Sequence, residues 1–199
     1  MRVIVVGGKG VIGSAVVKEL SERHEVLIAG RSSGDLHCDM TSEVSIRQMY
    51  EKAGKFDAVV VTAGMVQFDP FSEMTPAKYQ IGLNSKLMGQ VNLVLIGSSY
   101  IADRGSFTLT SGSLSDDPIK AGSGASMVNG AIDSFTKAVS IELIRGVRIN
   151  AVSPTIVTES LKDFGGYFIG FESVPAAKAA LAYSKSVDGL QTGQIYRVS

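Results

Sequence analysis

The amino-acid sequence predicts an α/β fold, a doubly wound parallel sheet of about seven strands with helices on both faces, as a single domain over residues 1–199. Two observations predict it. Short runs rich in Val and Ile alternate with amphipathic segments along the chain. These runs are apolar throughout, which is typical of parallel strands that are covered by helices on both faces.

The individual elements follow from this alternation. Strands are predicted at residues 2–6, 26–29, 36–38, 58–62, 106–110, 147–152 and 194–198. Helices are predicted at about 11–21, 42–53, 76–102, 124–144 and 175–187. The least regular stretches, 111–123 and 158–174, each follow a predicted strand, which is where ligand-binding loops lie in such sheets.

The composition excludes several classes of function. The 19 basic and 19 acidic residues balance, so the chain lacks the positive charge that nucleic acid or an anionic membrane surface requires. No apolar stretch approaches the roughly 20 residues of a membrane span, and no signal sequence is recognised, so we expect a cytoplasmic protein. Cys38, His24 and His37 are too few for a disulfide framework or a metal site, and we expect Cys38 to be buried in the core.

The first predicted strand ends in a glycine-rich turn that leads directly into the first helix. Gly7 permits the tight turn, Gly10 allows the backbone to approach a pyrophosphate, and Gly13 allows close packing of helix on sheet. Val11 and Ile12 open the helix, whose N-terminus faces an anion. An ordinary strand-to-helix turn is the alternative, but a strand before the glycines and a helix after them are the context that a Rossmann-type dinucleotide-binding turn requires.

The second predicted strand is followed by Arg31 and Ser32. Proteins that bind NAD place an acidic residue about 20 residues beyond the glycines, on the ribose 2′-hydroxyl. Here Arg31 instead offers a planar fork of donors to a 2′-phosphate, with Ser32 beside it and Lys9 as a weaker candidate. NADP(H) is therefore the predicted cofactor in preference to NAD(H). The alternative is that Arg31 is a solvated loop residue.

Further segments, 37–40, 61–64 and 150–158, follow or contain predicted strands. They resemble the short-chain dehydrogenase/reductase family over nearly the whole chain. The glycine turn departs from the family's usual single-domain members, because its glycines have the spacing of extended and atypical members. The resemblance implies that a cofactor's adenine lies at Asp39 and Met40, and that Ala63 and Gly64 lie below the cofactor. It also implies a nicotinamide contact from the segment that contains the following residues: Pro154, Val157 and Thr158.

The catalytic residues of that family are replaced in this chain. The family uses Ser, Tyr, Lys and Asn, with Tyr as the general acid/base. Alignment by motif spacing puts Gly112 at the Ser position and Ala125 at the Tyr position. It puts Asn129 at the Lys position and Lys86 at the Asn position. Because Ala125 has no proton to give to a developing alkoxide, the family's usual mechanism cannot operate.

Lys86 and Asn129 look like a reciprocal exchange between two positions that are neighbours in the family's active site. We hypothesise that the Lys86 ammonium holds the nicotinamide ribose, or acts as the acid if desolvation lowers its pKa. The alternative is that Lys86 extends to solvent from an ordinary helix. Ser111 is a further candidate for polarising a substrate, although strand-end serines commonly bond to nearby backbone. Tyr167, in an aromatic segment where the family has its substrate lid, is a candidate replacement acid, although aromatic residues there commonly serve packing.

Two classes of function follow from these residues. The favoured one is an NADP(H)-dependent oxidoreductase that acts on a small carbonyl or alcohol through a non-standard acid/base site. The other is a catalytically inactive NADP(H)-binding redox sensor or partner subunit. We expect a small-molecule substrate and no nucleic acid, membrane or metal. The family resemblance implies a homodimer or homotetramer, formed through the helix that contains Lys86 and the helix at 124–144.

Overall fold

A computed structural model describes all residues from 1 to 199. Its strands are β1 (Arg2–Val6), β2 (Glu25–Gly30), β3 (Leu36–His37), β4 (Ala58–Val61), β5 (Ser106–Thr110), β6 (Arg148–Pro154) and β7 (Ile195–Val198). Its main helices are α1 (Val11–Ser21), α2 (Glu43–Ala53), α3 (Pro76–Gly82), α4 (Gly89–Gly97), α5 (Ser123–Val139), α6 (Leu161–Phe164) and α7 (Ala176–Asp188). The strands form one sheet in the order β3-β2-β1-β4-β5-β6-β7, and every neighbouring pair is parallel. The predicted single-domain Rossmann fold is confirmed.

The sheet is buried on both faces, and β1 shows how. Ile4 and Val6 belong to a core shared with α2, α4 and α5, whereas Val3 and Val5 belong to a second core shared with α1 and α7. Successive side chains of a strand point to opposite faces, so each face of β1 needs its own apolar set. Cys38 is buried in the first core, as expected.

The order of the strands positions the site. β2 and β3 lie on one side of β1, and β4 to β7 lie on the other, so the direction of winding reverses between β1 and β4. Open α/β sheets bind ligands in the crevice at the carboxyl ends of their strands at this switch point. Gly7 follows β1 and Ala63 follows β4, so the glycine turn and the predicted cofactor floor meet there.

Two predicted helices are shorter than the sequence indicated. The helix predicted at 76–102 is divided by a π-helical segment at Leu83–Met88, and α4 ends at Gly97, where the last turn tightens before the buried Ile101. The helix predicted at 124–144 ends at Val139. The apolar spacing continues past this point through irregular turns, until Arg145 and Gly146 adopt positive φ angles of 59° and 70°.

Candidate active site

The glycine turn after β1 forms a backbone cradle. Gly7 has a φ of 85°, and a Cβ atom on Gly13 would lie 2.1 Å from the carbonyl oxygen of Gly7. Helix α1 therefore packs on the turn at a distance that only glycine allows. The amides of Val11, Ile12 and Gly13 have no acceptor within the chain, no side chain caps the helix at Gly10, and no acidic residue occupies the first turn. These free donors at a helix N-terminus fit the pyrophosphate of a dinucleotide cofactor.

A cavity of about 200 Å³ extends from this turn to the ends of β2 and β3. Its walls include Arg31, Asp39, Met40 and Gly64. The Asp39 carboxylate accepts hydrogen bonds from the Thr41 amide at 3.0 Å and the Thr41 hydroxyl at 2.7 Å. These bonds, with a smaller contribution from the charge of Arg31, hold the pKa of Asp39 below its usual value. The carboxylate stays ionised and is partly engaged by its own turn.

The three residues predicted to bind the cofactor's 2′-phosphate lie at different distances from the cavity. Arg31 lines the cavity and is exposed at its mouth, and Ser32 lies next to it in a shallow depression. Lys9 is also exposed but does not line either of these surfaces. The structure therefore places Arg31 in the wall of the predicted cofactor cavity and Ser32 beside it, and leaves Lys9 outside both surfaces.

Lys86 lies within the π-helical segment Leu83–Met88 and turns into the protein. Its ammonium donates a hydrogen bond of 2.7 Å to Oδ1 of Asn129 and one of 2.8 Å to the carbonyl of Ser111. The amide of Asn129 in turn donates to the carbonyl of Gly112 at 3.3 Å. The alternative in which Lys86 extends to solvent is wrong. The two residues of the inferred exchange are direct hydrogen-bond partners.

The ionisation of Lys86 is set by burial. Desolvation lowers the pKa of its ammonium from 10.5 to about 8, and the negative charge of Asp133 opposes this shift. Asp133 is itself buried, and its Oδ2 accepts a hydrogen bond of 3.0 Å from Ser115, whose hydroxyl also donates to the Gly112 carbonyl at 3.1 Å. Lys86 and Asp133 are thus linked through Asn129, the Gly112 carbonyl and Ser115, whose single hydroxyl hydrogen is shared between Gly112 and Asp133. An amine with a pKa near 8 can give up a proton at neutral pH.

The two positions at which the family resemblance predicts a Ser and a Tyr carry small residues. Gly112 has a φ of 154°, and Ala125 is buried in the wall of a cavity of about 250 Å³ that Lys86, Ser111 and Asn129 also line. The hydroxyl of Ser111 is buried and has no hydrogen-bond partner, so the interpretation that it bonds to nearby backbone is wrong. This hydroxyl therefore lies in a residue of the cavity wall without a hydrogen-bond partner in the chain.

Some of the remaining predicted site residues line the cavity that contains Lys86, and others do not. Ile12, Ala63, Gly64 and Pro154 line this second cavity, and Ala63 and Gly64 also line the first one, so the two cavities adjoin. The other residues predicted at the nicotinamide, Val157 and Thr158, line neither cavity. Val157 forms a parallel bridge with Val174, and the Thr158 hydroxyl pairs with Ser173 at 3.1 Å.

The aromatic segment after β6 packs against the same cavity. Phe68 and Phe168 line it, whereas Tyr167 does not. The ring of Tyr167 packs on Phe68 with a centroid distance of 5.6 Å, and Phe164 packs on Phe68 at 5.9 Å. The structure thus supports packing for Tyr167 and places Phe168 nearer the ligand.

Gln90 is a site-supporting residue that the sequence analysis missed. It is fully buried on α4, its amide donates to the carbonyls of Lys86 at 3.0 Å and Thr110 at 2.9 Å, and its Oε1 accepts from the Thr110 amide at 2.8 Å. Gln90 therefore connects the end of β5 by hydrogen bonds to the π-helical segment that contains Lys86. A glutamine within an otherwise apolar helical stretch was the available signal.

The doubly wound sheet, the amide cradle and the adjoining cavities define a nucleotide-binding dehydrogenase-type protein. A family model described as enoyl-(acyl carrier protein) reductase matches residues 6–184. The chain belongs to the short-chain dehydrogenase/reductase family. Fold and family thus agree on an oxidoreductase of the short-chain type.

Similar proteins are known at several levels of identity. The crystal structure of the protein lin1944 from Listeria innocua is 48% identical over the whole of both chains, with a TM-score of 0.98. A small-chain dehydrogenase in complex with NADPH is 27% identical, with a TM-score of 0.88 over 100% of this chain and 96% of that one. The L-xylulose reductase of Mesocricetus auratus is 26% identical over 178 residues, which cover 80% of this chain and 73% of that protein.

Two features of other protein classes were not found. No helix is long and apolar enough to cross a membrane. No group of three or more His, Cys, Asp or Glu side chains lies close enough together to hold a metal ion.

Proposed function

We propose that this protein is an NADP(H)-dependent oxidoreductase that interconverts a small carbonyl compound and its alcohol, with Lys86 in place of the family's tyrosine as the general acid. The observation that carries the proposal is the position of the Lys86 ammonium. It is held at 2.7 Å from Asn129 and 2.8 Å from the Ser111 carbonyl, in the cavity that Ala125 also lines. A proton donor is thereby restored beside a position where the family's own donor is lost.

Lys86, Asn129 and Ser111 have different roles in the proposed reaction. A bound nicotinamide cofactor supplies the hydride. Lys86 gives a proton to the carbonyl oxygen as negative charge develops there. Asn129 fixes the direction of the ammonium through its Oδ1, and the unpartnered hydroxyl of Ser111 donates a hydrogen bond to the same oxygen. In the reverse direction, neutral Lys86 accepts the proton of the alcohol.

The preference for NADP(H) is supported by Arg31 at the mouth of the cavity beyond β2. A guanidinium there pairs with a 2′-phosphate, whereas an NAD-type site would place a carboxylate at the ribose. The NADPH complex of a 27% identical dehydrogenase supports the same choice. The 26% identical L-xylulose reductase supports a small carbonyl compound as the substrate.

A second candidate function is a catalytically inactive NADP(H) sensor or partner subunit. The observation that favours it is the pair of small residues, Gly112 and Ala125, at the positions of two of the family's catalytic side chains. The two candidates make different predictions about turnover and the same prediction about binding.

The deciding experiment titrates the protein with NADPH and NADH, and then follows NADPH oxidation against small aldehydes, ketones and quinones. Tight NADPH binding with turnover that is lost in Lys86→Met supports the enzyme. NADPH binding without reduction of any carbonyl compound supports the sensor or partner subunit. Failure to bind either NADPH or NADH excludes both candidate functions.

A homodimer or homotetramer also stays a proposal. Leu95 on α4 is 69% exposed, and Ile141 and Ile144 beyond α5 are 87% and 73% exposed. Large exposed apolar side chains on α4 and in the turns that follow α5, close to the two helices that the family uses for assembly, support such an interface. Light scattering after size-exclusion chromatography tests it, and a monomer at micromolar concentration would refute it.

A further inference from the structure

We propose that a third cavity, next to the one that holds Lys86, is a subsite for the hydroxylated tail of the substrate, so that the preferred substrates are neutral polyhydroxylated carbonyl compounds. This inference rests on the proposed function, because it names the class of substrate for the same site. The cavity has a volume of about 400 Å³ and lies between the loop after β5, the ends of β6 and β7, and the segment before α7. Hereafter it is called the polar subsite.

The polar subsite adjoins the proposed reaction centre. Ser113 and Thr155 line both cavities, so the proposed substrate, with its carbonyl group near Lys86, would pass these two residues to reach the polar subsite. The reaction cavity itself has aromatic walls at Phe68 and Phe168. Hydrophobic residues make up a smaller share of the walls of the polar subsite than of the walls of the reaction cavity.

The walls of the polar subsite contain hydroxyl groups that lack partners. Ser153 is 1% exposed, and its hydroxyl makes no hydrogen bond within the chain. The hydroxyl of Ser113 is also buried without a partner. Buried polar groups nearly always have a hydrogen-bond partner, so unpartnered hydroxyls beside a cavity indicate a ligand that can both donate and accept.

A fixed ion pair supplies further donors and acceptors. Ser153 and Arg197 are opposite each other in the register of β6 and β7, so their side chains leave the sheet on the same face. The guanidinium of Arg197 donates to the carboxylate of Asp116 at 2.7 Å. This bond uses one of five N–H donors of the guanidinium and leaves others free. Vicinal hydroxyls of a sugar or polyol match such alternating donors and acceptors.

The charge of the polar subsite selects against anions. Asp116, Asp117 and Glu172 line it with Arg197 as the one cation beside them. A phosphate or carboxylate on the substrate tail would meet this excess of negative charge at short range. A neutral tail meets no such repulsion, and the ion pair of Arg197 is already satisfied.

Binding is tested first, without turnover. Ribitol, which has no carbonyl to reduce, is added to the protein saturated with NADPH, which cannot oxidise an alcohol, and its affinity is measured by saturation-transfer NMR. Ser153→Ala is expected to weaken ribitol binding about fivefold, the value of one neutral hydrogen bond. Because the Ser153 hydroxyl has no partner to lose, the variant keeps its stability. Ser126→Ala removes another unpartnered buried hydroxyl, outside the polar subsite, and serves as the matched control with unchanged affinity.

Turnover then tests the chemical class. With NADPH, ribulose is expected to be reduced with a kcat/KM at least tenfold above that of 2-pentanone and of ribulose 5-phosphate. The double variant Asp117→Asn/Glu172→Gln is expected to reduce the ratio of the kcat/KM for ribulose to that for ribulose 5-phosphate. Glu142→Gln, which removes an exposed carboxylate elsewhere, is expected to leave this ratio unchanged.

The outcomes separate this inference from the proposed function. Equal reduction of ribulose and 2-pentanone overturns the polar subsite and leaves the oxidoreductase intact. Ribitol binding that depends on Ser153, without NADPH oxidation by any ketone, supports the subsite and overturns the oxidoreductase. No ribitol binding, or a preference for a five-carbon amino ketone over ribulose, overturns the inference.

Discussion

A Cβ atom on Gly112 would lie 2.8 Å from the side-chain nitrogen of Asn129. The backbone of Gly112 has a φ of 154°, which side-chain-bearing residues rarely adopt, and the space beside it is filled by the partner of Lys86. A serine at position 112, where the family resemblance places one, would therefore collide with the side chain of Asn129.

The first prediction concerns this glycine. Gly112→Ser is expected to destabilise the protein by about 1 to 3 kcal/mol, because it combines an unfavourable φ with a collision at Asn129. Gly130→Ala on α5 is the matched control, since a Cβ atom there would meet nothing within 4 Å. The control is expected to stabilise the protein by about 0.5 to 1 kcal/mol, as is usual for a helix interior. Urea denaturation measures both, and equal stability of the two variants would contradict the explanation.

The second prediction is the pH dependence of the reaction. Lys86 must be protonated to act as an acid, and burial lowers its pKa to about 8. The rate of carbonyl reduction is therefore expected to be constant below pH 8 and to fall tenfold per pH unit above it. Alcohol oxidation, which needs neutral Lys86, is expected to rise over the same range. Lys86→Met is expected to lower kcat at least a hundredfold, the usual contribution of a general acid. A pH profile without a transition near 8 would exclude this role.

The third prediction assigns a positioning role to Asp133. Its charge raises the pKa of Lys86 against the effect of burial. Asp133→Asn is therefore expected to move the midpoint of the pH–rate profile to lower pH. Ser115→Ala, which removes the hydroxyl bonded to Asp133 but keeps its charge, separates the electrostatic effect from the loss of a hydrogen bond. If the midpoint moves equally in both variants, the charge of Asp133 is not the cause.

The fourth prediction concerns the choice of cofactor. Arg31→Ser is expected to weaken NADPH binding about tenfold to a hundredfold, the value of one or two charge-assisted hydrogen bonds, and to leave NADH binding unchanged. Arg47→Ser removes an exposed arginine from α2 and serves as the control. Fluorescence titration with both cofactors measures the effect. An equal loss for NADPH and NADH would contradict a contact between Arg31 and the 2′-phosphate.

Local patterns in the sequence determined the fold. Apolar runs of strand length, separated by helical periods, leave a parallel sheet as the one way to bury both faces. The strand, the glycines from Gly7 to Gly13 and the helix α1 are contiguous, so the sequence also determined the anion-binding turn. These features depend on backbone conformation and burial, which act between near neighbours along the chain.

Tertiary structure alone decided the chemistry of the site. Lys86 and Asn129 are 43 residues apart, and only the packing of the π-helical segment against α5 shows that they share a hydrogen bond. The same packing desolvates the ammonium and lowers its pKa, an effect that depends on surrounding atoms and not on the neighbours in sequence. The polar subsite likewise exists only where the ends of β6 and β7 meet the loop after β5. Sequence patterns fix which segments form helices and strands, whereas distances between side chains on different elements are fixed by how those elements pack.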